Sequence, residues 1–135
     1  MGARKRLRAE KLKEARKQTA FAKYNNCPCS PRKMRMVADL VRGEEVFKAM
    51  SVLQYSSRDA AQKLEKVLRS AIANWEQKNE GGDPETAGLY VKEVKVDKAR
   101  TLKRLRPRAQ GRAFRIEKPS NHVTLVLGSQ EKQEA

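Results

Sequence analysis

Apolar side chains recur at two periods along this chain, close to 3.6 residues in its middle and 2 towards its end. Ser30-Pro31 marks a helix start, a capping hydroxyl followed by a proline whose missing N–H costs nothing at the first helical position. Met34, Val37, Ala38 and Val41 follow at helical spacing and Gly43 supplies the stop. A second helix is predicted over about 44–54, with Val46, Phe47, Met50 and Leu53 on one face. The third and longest is predicted over about 58–79, with a Ser56/Asp59 capping-box signal. Its stripe is Ala60, Ala61, Leu64, Val67, Leu68, Ala71, Ile72 and Trp75, and Gly81-Gly82 and Pro84 end it.

Alternation then takes over. Leu89 and Val91, then Val94 and Val96, describe a strand whose parity slips near Lys92-Glu93, as a bulge would require. Phe114 and Ile116, then Val123, Leu125 and Leu127, describe another, interrupted by Pro119. Thr19 to Tyr24 reads as a short strand. Paired antiparallel about Pro107-Arg108, the two long strands would set Leu89 opposite Leu125, Val91 opposite Val123 and Lys98 opposite Ile116. Apolar pairs then sit at the base of the hairpin and cations at its far end. About 17 residues per arm would reach on the order of 55 Å, whereas a domain of this size has a radius of gyration of about 14 Å. The tip must leave the globule.

Charge sharpens this division. The chain has 135 residues, with 31 Lys+Arg against 16 Asp+Glu for a formal charge of +15, and a mean hydropathy of -0.83. Residues 1–23 hold 9 basic and 2 acidic side chains, residues 98–118 hold 9 basic and only Glu117, and the other 91 residues balance at 13 of each. The whole excess therefore lies in two segments. Self-repulsion there is relieved by a polyanionic partner. Residues 2–18, rich in helix formers but with only Leu7, Leu12 and Ala15 as an apolar stripe, read as an arm ordered by that partner.

Several functions are excluded. No stretch approaches the roughly 20 apolar residues of a membrane span, no apolar core of a signal peptide follows the basic start, and an intracellular, cytoplasmic protein is expected. Cys27, Cys29 and the single His122 cannot supply four zinc ligands, so no metal and no cofactor are expected. Phosphate-loop, dinucleotide-binding, zinc-protease and nucleophile-elbow motifs are absent, which leaves catalysis no foothold. His122 reads as structural or RNA-contacting. Of the 7 aromatic residues only Phe114 falls within 98–118, too few for a base-stacking platform. Arg100, Arg104, Arg106, Arg108, Arg112 and Arg115 crowd the hairpin, and arginine suits forked contacts with phosphates. Phosphates of a folded RNA, reached by penetrating extensions, fit best. A DNA-compacting protein is the second reading and an RNA-modifying enzyme the third.

Particular strings carry a resemblance. Ser30-Pro-Arg-Lys-Met-Arg-Met-Val-Ala-Asp-Leu-Val-Arg-Gly43, Ser70-Ala-Ile-Ala-Asn74, Lys103-Arg-Leu-Arg-Pro-Arg-Ala-Gln-Gly-Arg-Ala113 and Ser120-Asn-His-Val-Thr124 resemble the bacterial form of the large-subunit ribosomal protein family conventionally numbered twenty-two. The likeness covers about Thr19 to Leu127. It departs in residues 1–18, absent from short family members, in Trp75 where many have a small residue, and in a mildly acidic tail.

The resemblance implies an α+β fold, three helices packed on a small antiparallel three-stranded sheet with a long protruding β-hairpin. Residues 1–18 would be a basic extension, 19–128 a single domain including the hairpin at about 97–118, and 129–135 a short polar tail. It implies a structural, non-enzymatic constituent of the large subunit that binds ribosomal RNA, supports assembly and lines the nascent-peptide exit tunnel. RNA would be met by Lys23, Arg32, Lys33, Arg35, Asn74, Lys98, Arg100, Lys103, Arg104, Arg106, Arg108, Arg112, Arg115, Lys118 and His122. The tunnel-lining tip would be Leu102, Lys103, Arg104, Leu105, Arg106, Pro107, Arg108, Ala109 and Gln110. Its partners would be ribosomal RNA, neighbouring ribosomal proteins and the passing nascent polypeptide, with no membrane and no homo-oligomer.

Overall fold

The computed structural model describes residues 3–79 and 82–129. The predicted tail beyond Ser129, and Gly81 of the predicted helix stop, lie outside the described residues. The element order is α1 (Ala3–Gln18), β1 (Phe21–Cys27), α2 (Pro31–Val41), α3 (Val46–Tyr55), α4 (Asp59–Lys78), β2 (Leu89–Lys98), β3 (Leu102–Pro107), a 3-10 turn (Ala109–Gly111), β4 (Ala113–Lys118) and β5 (Asn121–Ser129). The class is α+β, with four α-helices among the described residues where three were expected.

The extra helix is α1. Its sequence contains no Gly, Pro or β-branched residue, and Arg6 pairs with Glu10 at 3.1 Å across one turn. Residues 3–17 are all exposed. Helical propensity, not burial, accounts for it.

The three predicted helices lie close to where their periods place them, but two capping expectations fail. Ser30 holds the N-cap position of α2 without a side-chain bond, and the helix opens with the Met34 N–H donating to Ser30 O at 3.1 Å. The N-cap of α4 is Arg58, not Ser56, and Asp59 binds Lys63 Nζ at 2.6 Å within the first turn. Gly43 turns the chain with φ +80, and its N–H donates to Val91 O at 2.9 Å.

A three-stranded sheet in the order β1-β5-β2 forms one layer. The helices form the other, α4 against β1 and β5, and α2 and α3 against β2. Leu64, Leu68 and Ala71 of α4 meet Val91, Val123 and Leu125 in a single core where each is at most 1% exposed. Strand β5 alternates buried and half-buried positions, as a sheet covered on one face must.

Bulges set the registers. The β2–β5 ladder slips between Val91 and Glu93, which restores the inward side of the sheet to Val94 and Val96. The β1–β5 ladder slips between Tyr24 and Cys27, where Asn26 takes φ 55. Nδ1 of His122 accepts the Asn26 N–H at 3.0 Å, and the fully buried Asn121 donates through Nδ2 to Cys29 O at 2.8 Å. Both residues of the Asn121-His122 string thus pin the bulged chain.

Beyond the sheet, β3 and β4 form a separate two-stranded ladder, here termed the stalk, in which every residue is exposed. The observed register corrects the predicted one by four residues at Leu89 and Val91, five at Lys98 and six within the stalk. Leu89 faces Ser129, Val91 faces Leu127, Lys98 faces Asn121 and Pro107 faces Ala113. The turn is built on Gln110 and Gly111, with φ 62 and 69, and the Arg108 N–H donates to Arg112 O at 2.8 Å. Pro107, lacking an N–H, ends β3 instead of making the turn.

Candidate nucleic-acid interface

The stalk holds like charges close together without opposing them. Across its ladder Leu102 faces Lys118, Lys103 faces Glu117, Arg104 faces Ile116, Leu105 faces Arg115 and Arg106 faces Phe114. No pair sets cation against cation. A slip of one residue in one direction would oppose Arg104 to Arg115, and in the other would oppose Lys103 to Lys118 and Arg106 to Arg115, contacts that destabilise a sheet. Charge itself therefore helps fix the register.

Pleating then distributes the cations over both faces. Arg104, Arg106 and Lys118 share one with Ile116 and Phe114, while Lys103 and Arg115 share the other with Leu105 and Glu117. At the apex the Arg108 guanidinium lies 5.6 Å from the centre of the Phe114 ring. Among the described residues no carboxylate lies within ion-pair distance of a stalk cation. Ion pairs in the body, by contrast, join Asp39 to Arg42, Glu44 to Lys48, Asp59 to Lys63, Glu65 to Arg69 and Glu93 to Lys95.

Of the residues singled out from sequence, Leu102 lies at the foot of the stalk and the apex is Arg108–Arg112, so 102–110 make one whole arm and half the turn. Lys98 ends β2 opposite Asn121, and Arg100 sits in the joint between the two ladders, its carbonyl accepting the Ser120 hydroxyl at 2.5 Å. Arg32, Lys33 and Arg35 occupy the first turns of α2. All three are exposed, and Arg35 directs Nε and Nη2 onto Val96 O at 3.3 and 3.0 Å.

The structure gathers these residues into two further groups. Lys33 and Lys118, with Arg58, Asp59 and Glu117, line a cleft of about 690 Å³ between the foot of the stalk and the starts of α2 and α4. On the other side, Lys23 and Lys78 flank the half-exposed Phe21 ring at 5.7 and 5.6 Å, and Asn74 Nδ2 donates to Phe21 O at 3.0 Å. Lys78, Arg58, Gly111 and the exposed stalk side chains Leu105, Phe114 and Ile116 were not singled out from sequence as RNA-binding. Only Gly111, following a polar residue after a strand, carried a local signal.

The cysteines have another role. Cys27 is fully buried and Cys29 nearly so, and burial pushes the Cys27 thiol above its ordinary value, with Lys63 pulling the other way. Among the described residues no group of three His, Cys, Asp or Glu could hold a metal ion, and no helix is long and apolar enough to cross a membrane.

Comparison with known proteins now decides the family. The sequence model of the family described as Ribosomal protein L22p/L17e matches residues 22–128, from the second residue of β1 through the stalk to the end of the sheet. The chain belongs to this family. It is a ribosomal protein, a structural constituent and not an enzyme. It is 64% identical over 129 residues to the large ribosomal subunit protein uL22 of Christiangramia forsetii, covering 96% of each chain. To that of Flavobacterium johnsoniae it is also 64% identical, over 96% of this chain and 94% of the relative. The match to the protein of that name from Parabacteroides distasonis, 58% identical, spans 100% of this chain and 98% of the relative. Helix α1 lies outside the span that defines the family, yet within the Parabacteroides match.

Proposed function

We propose that the protein is built into the large ribosomal subunit by binding ribosomal RNA, with the stalk threaded through RNA and its apex lining the nascent-peptide exit tunnel. The observation that carries this is the stalk, an exposed two-stranded ribbon whose cations have no carboxylate partners among the described residues. Such a ribbon is marginal in water, and phosphates on both sides supply what it lacks. Lys98, Arg100, Lys103, Arg104, Arg106, Arg108, Arg112, Arg115 and Lys118 contact RNA along its length. Arg32 and Lys33 on α2 and Lys23 on β1 contact RNA from the body, while Arg35, Asn74 and His122 shape the surface through their backbone bonds. Affinity falls steeply with salt because binding to phosphates releases counterions. The neighbours are RNA, adjoining ribosomal proteins and, at the apex, the nascent chain in cytoplasmic ribosomes.

A photoreactive side chain at Gln110 in translating ribosomes tests the apex. Cross-links to nascent polypeptide are expected from Gln110 and not from Lys66 on α4. Cross-links to RNA alone would remove the tunnel from this reading, and a protein absent from sedimented large subunits at moderate salt would remove the subunit.

A further inference from the structure

Helix α1 carries eight basic residues and two acidic ones between Ala3 and Gln18, along a length of about 24 Å. Its side chains from Ala3 to Lys17 are exposed, so no packing against the described body accounts for them. At 100° per residue Ala3, Leu7, Glu10 and Glu14 fall on one narrow stripe. The cations Arg4, Lys5, Arg6, Arg8, Lys11, Lys13, Arg16 and Lys17 spread over about two thirds of the circumference. A helix lying on a lipid surface would need an apolar face opposite its cations, and here the opposite stripe holds two glutamates. A cationic arc wider than a half-circle fits a groove with a phosphate wall on each side.

Strand registers place this helix away from the stalk. Phe21, just after α1, faces Val126, whereas the stalk leaves the sheet where Lys98 faces Asn121 and Cys27 also faces Asn121. The two basic extensions therefore depart from opposite ends of β1, separated by its seven residues, or about 20 Å. The α1 junction is fixed to the body: Thr19 N and Oγ1 both donate to Ala15 O at 3.2 and 2.9 Å, and Lys78 Nζ donates to Thr19 O at 2.6 Å. Lys78 and Lys23 then continue the positive surface onto the sheet around Phe21.

We infer that α1 is a second RNA-binding element, seated between phosphate backbones of an RNA segment distinct from the one the stalk enters, so that the body brackets two parts of one folded RNA. The major groove of regular A-form RNA is too deep and narrow for side chains to read, so the seat is a groove opened at a bulge or junction, recognised by shape and phosphate position. An isolated helix of this length is marginal in water, and the RNA stabilises it. This inference rests on the ribosomal reading above.

The test uses the full chain and the variant R4Q/R8Q/K11Q/R16Q, with R104Q/R106Q/R108Q/R112Q for comparison, each titrated with large-subunit ribosomal RNA over a range of salt. Glutamine keeps helix propensity, and circular dichroism verifies that the fold is retained. The slope of log affinity against log salt is expected to become shallower by about 3 in each variant, at roughly 0.7 to 0.9 for each phosphate no longer neutralised. Radical probes tethered at Lys13→Cys and Arg106→Cys in assembled subunits are expected to cut separate RNA segments. An unchanged slope in the α1 variant alone overturns the inference and leaves the ribosomal reading standing. Failure of the unmodified chain to prefer ribosomal RNA over duplex DNA overturns that reading instead. Coincident cuts from the two tethers overturn the bracket. Binding to phosphatidylglycerol vesicles that only the α1 substitutions abolish, with RNA affinity unchanged, assigns the helix to a membrane and also overturns it.

Discussion

Body and stalk are made from one alphabet of charged and apolar residues and use it in opposite ways. In the body each cation that pairs does so with an acid on its own helix or strand or in the turn beside it, as Lys63 does with Asp59 and Arg69 with Glu65, and apolar side chains fill a single core. In the stalk the cations pair with no acid among the described residues, and Leu105, 72% exposed, and Phe114, 60% exposed, face outwards beside them. Charge balance accompanies a fold that holds itself together. Imbalance marks the part that the proposed RNA contacts would complete.

Excising Leu102–Lys118 tests that division most severely. Seven cations leave with the segment, so the salt slope of RNA binding should become shallower by about 5 to 6, a loss of several orders of magnitude in affinity at low salt. The urea midpoint of the remaining body should hardly move, and a large fall would show that the stalk supports the core. Leu68→Ala does the reverse. It opens a cavity beneath the sheet and should cost about 2 to 5 kcal/mol in urea unfolding, while the salt slope of the folded fraction stays constant.

Smaller changes act within the stalk. Gly111 holds φ +69, so Gly111→Val imposes about 1 to 3 kcal/mol of backbone strain. NMR shifts should change from Arg108 to Ala113 and remain unaltered in α4. Glu117→Lys opposes a lysine to Lys103 across the ladder and should weaken the stalk by about 0.2 to 1 kcal/mol. Amide exchange at low salt should rise in β3 and β4 and recover when salt is added. Equal exchange at both salts would show that charge does not guard the register.

Legibility in the sequence followed the range of the cause. The stripe of α4, the Ser30-Pro31 start of α2 and the slip at Lys92 depend on neighbours a few residues away, and each lies close to its predicted place. The stalk register differs from the expected one by six residues because Pro107 looks like the turn, while Gln110, which takes the left-handed conformation, is an ordinary polar residue to the eye. Helix α1 is rich in helix formers, but its thin apolar stripe of Leu7, Leu12 and Ala15 points to an arm awaiting order, because nothing in that stripe signals burial. At the interface the basic strings and their family resemblance named the cations. That Arg35 binds the carbonyl of Val96 and His122 the amide of Asn26 depends on partners 61 and 96 residues distant, beyond any local pattern.

The joint between the two ladders has a mechanical consequence. Between Lys98 and Leu102 on one arm and Lys118 and Asn121 on the other, the ribbon is fastened by the Ala99 N–H to Ser120 O bond at 2.9 Å and the Ser120 hydroxyl on Arg100 O. Pro119 can donate no backbone bond there. A beam bends where its cross-ties are fewest, so this ribbon flexes at the joint before it flexes along either ladder. The angle between stalk and body therefore rests on two bonds, both made by Ser120.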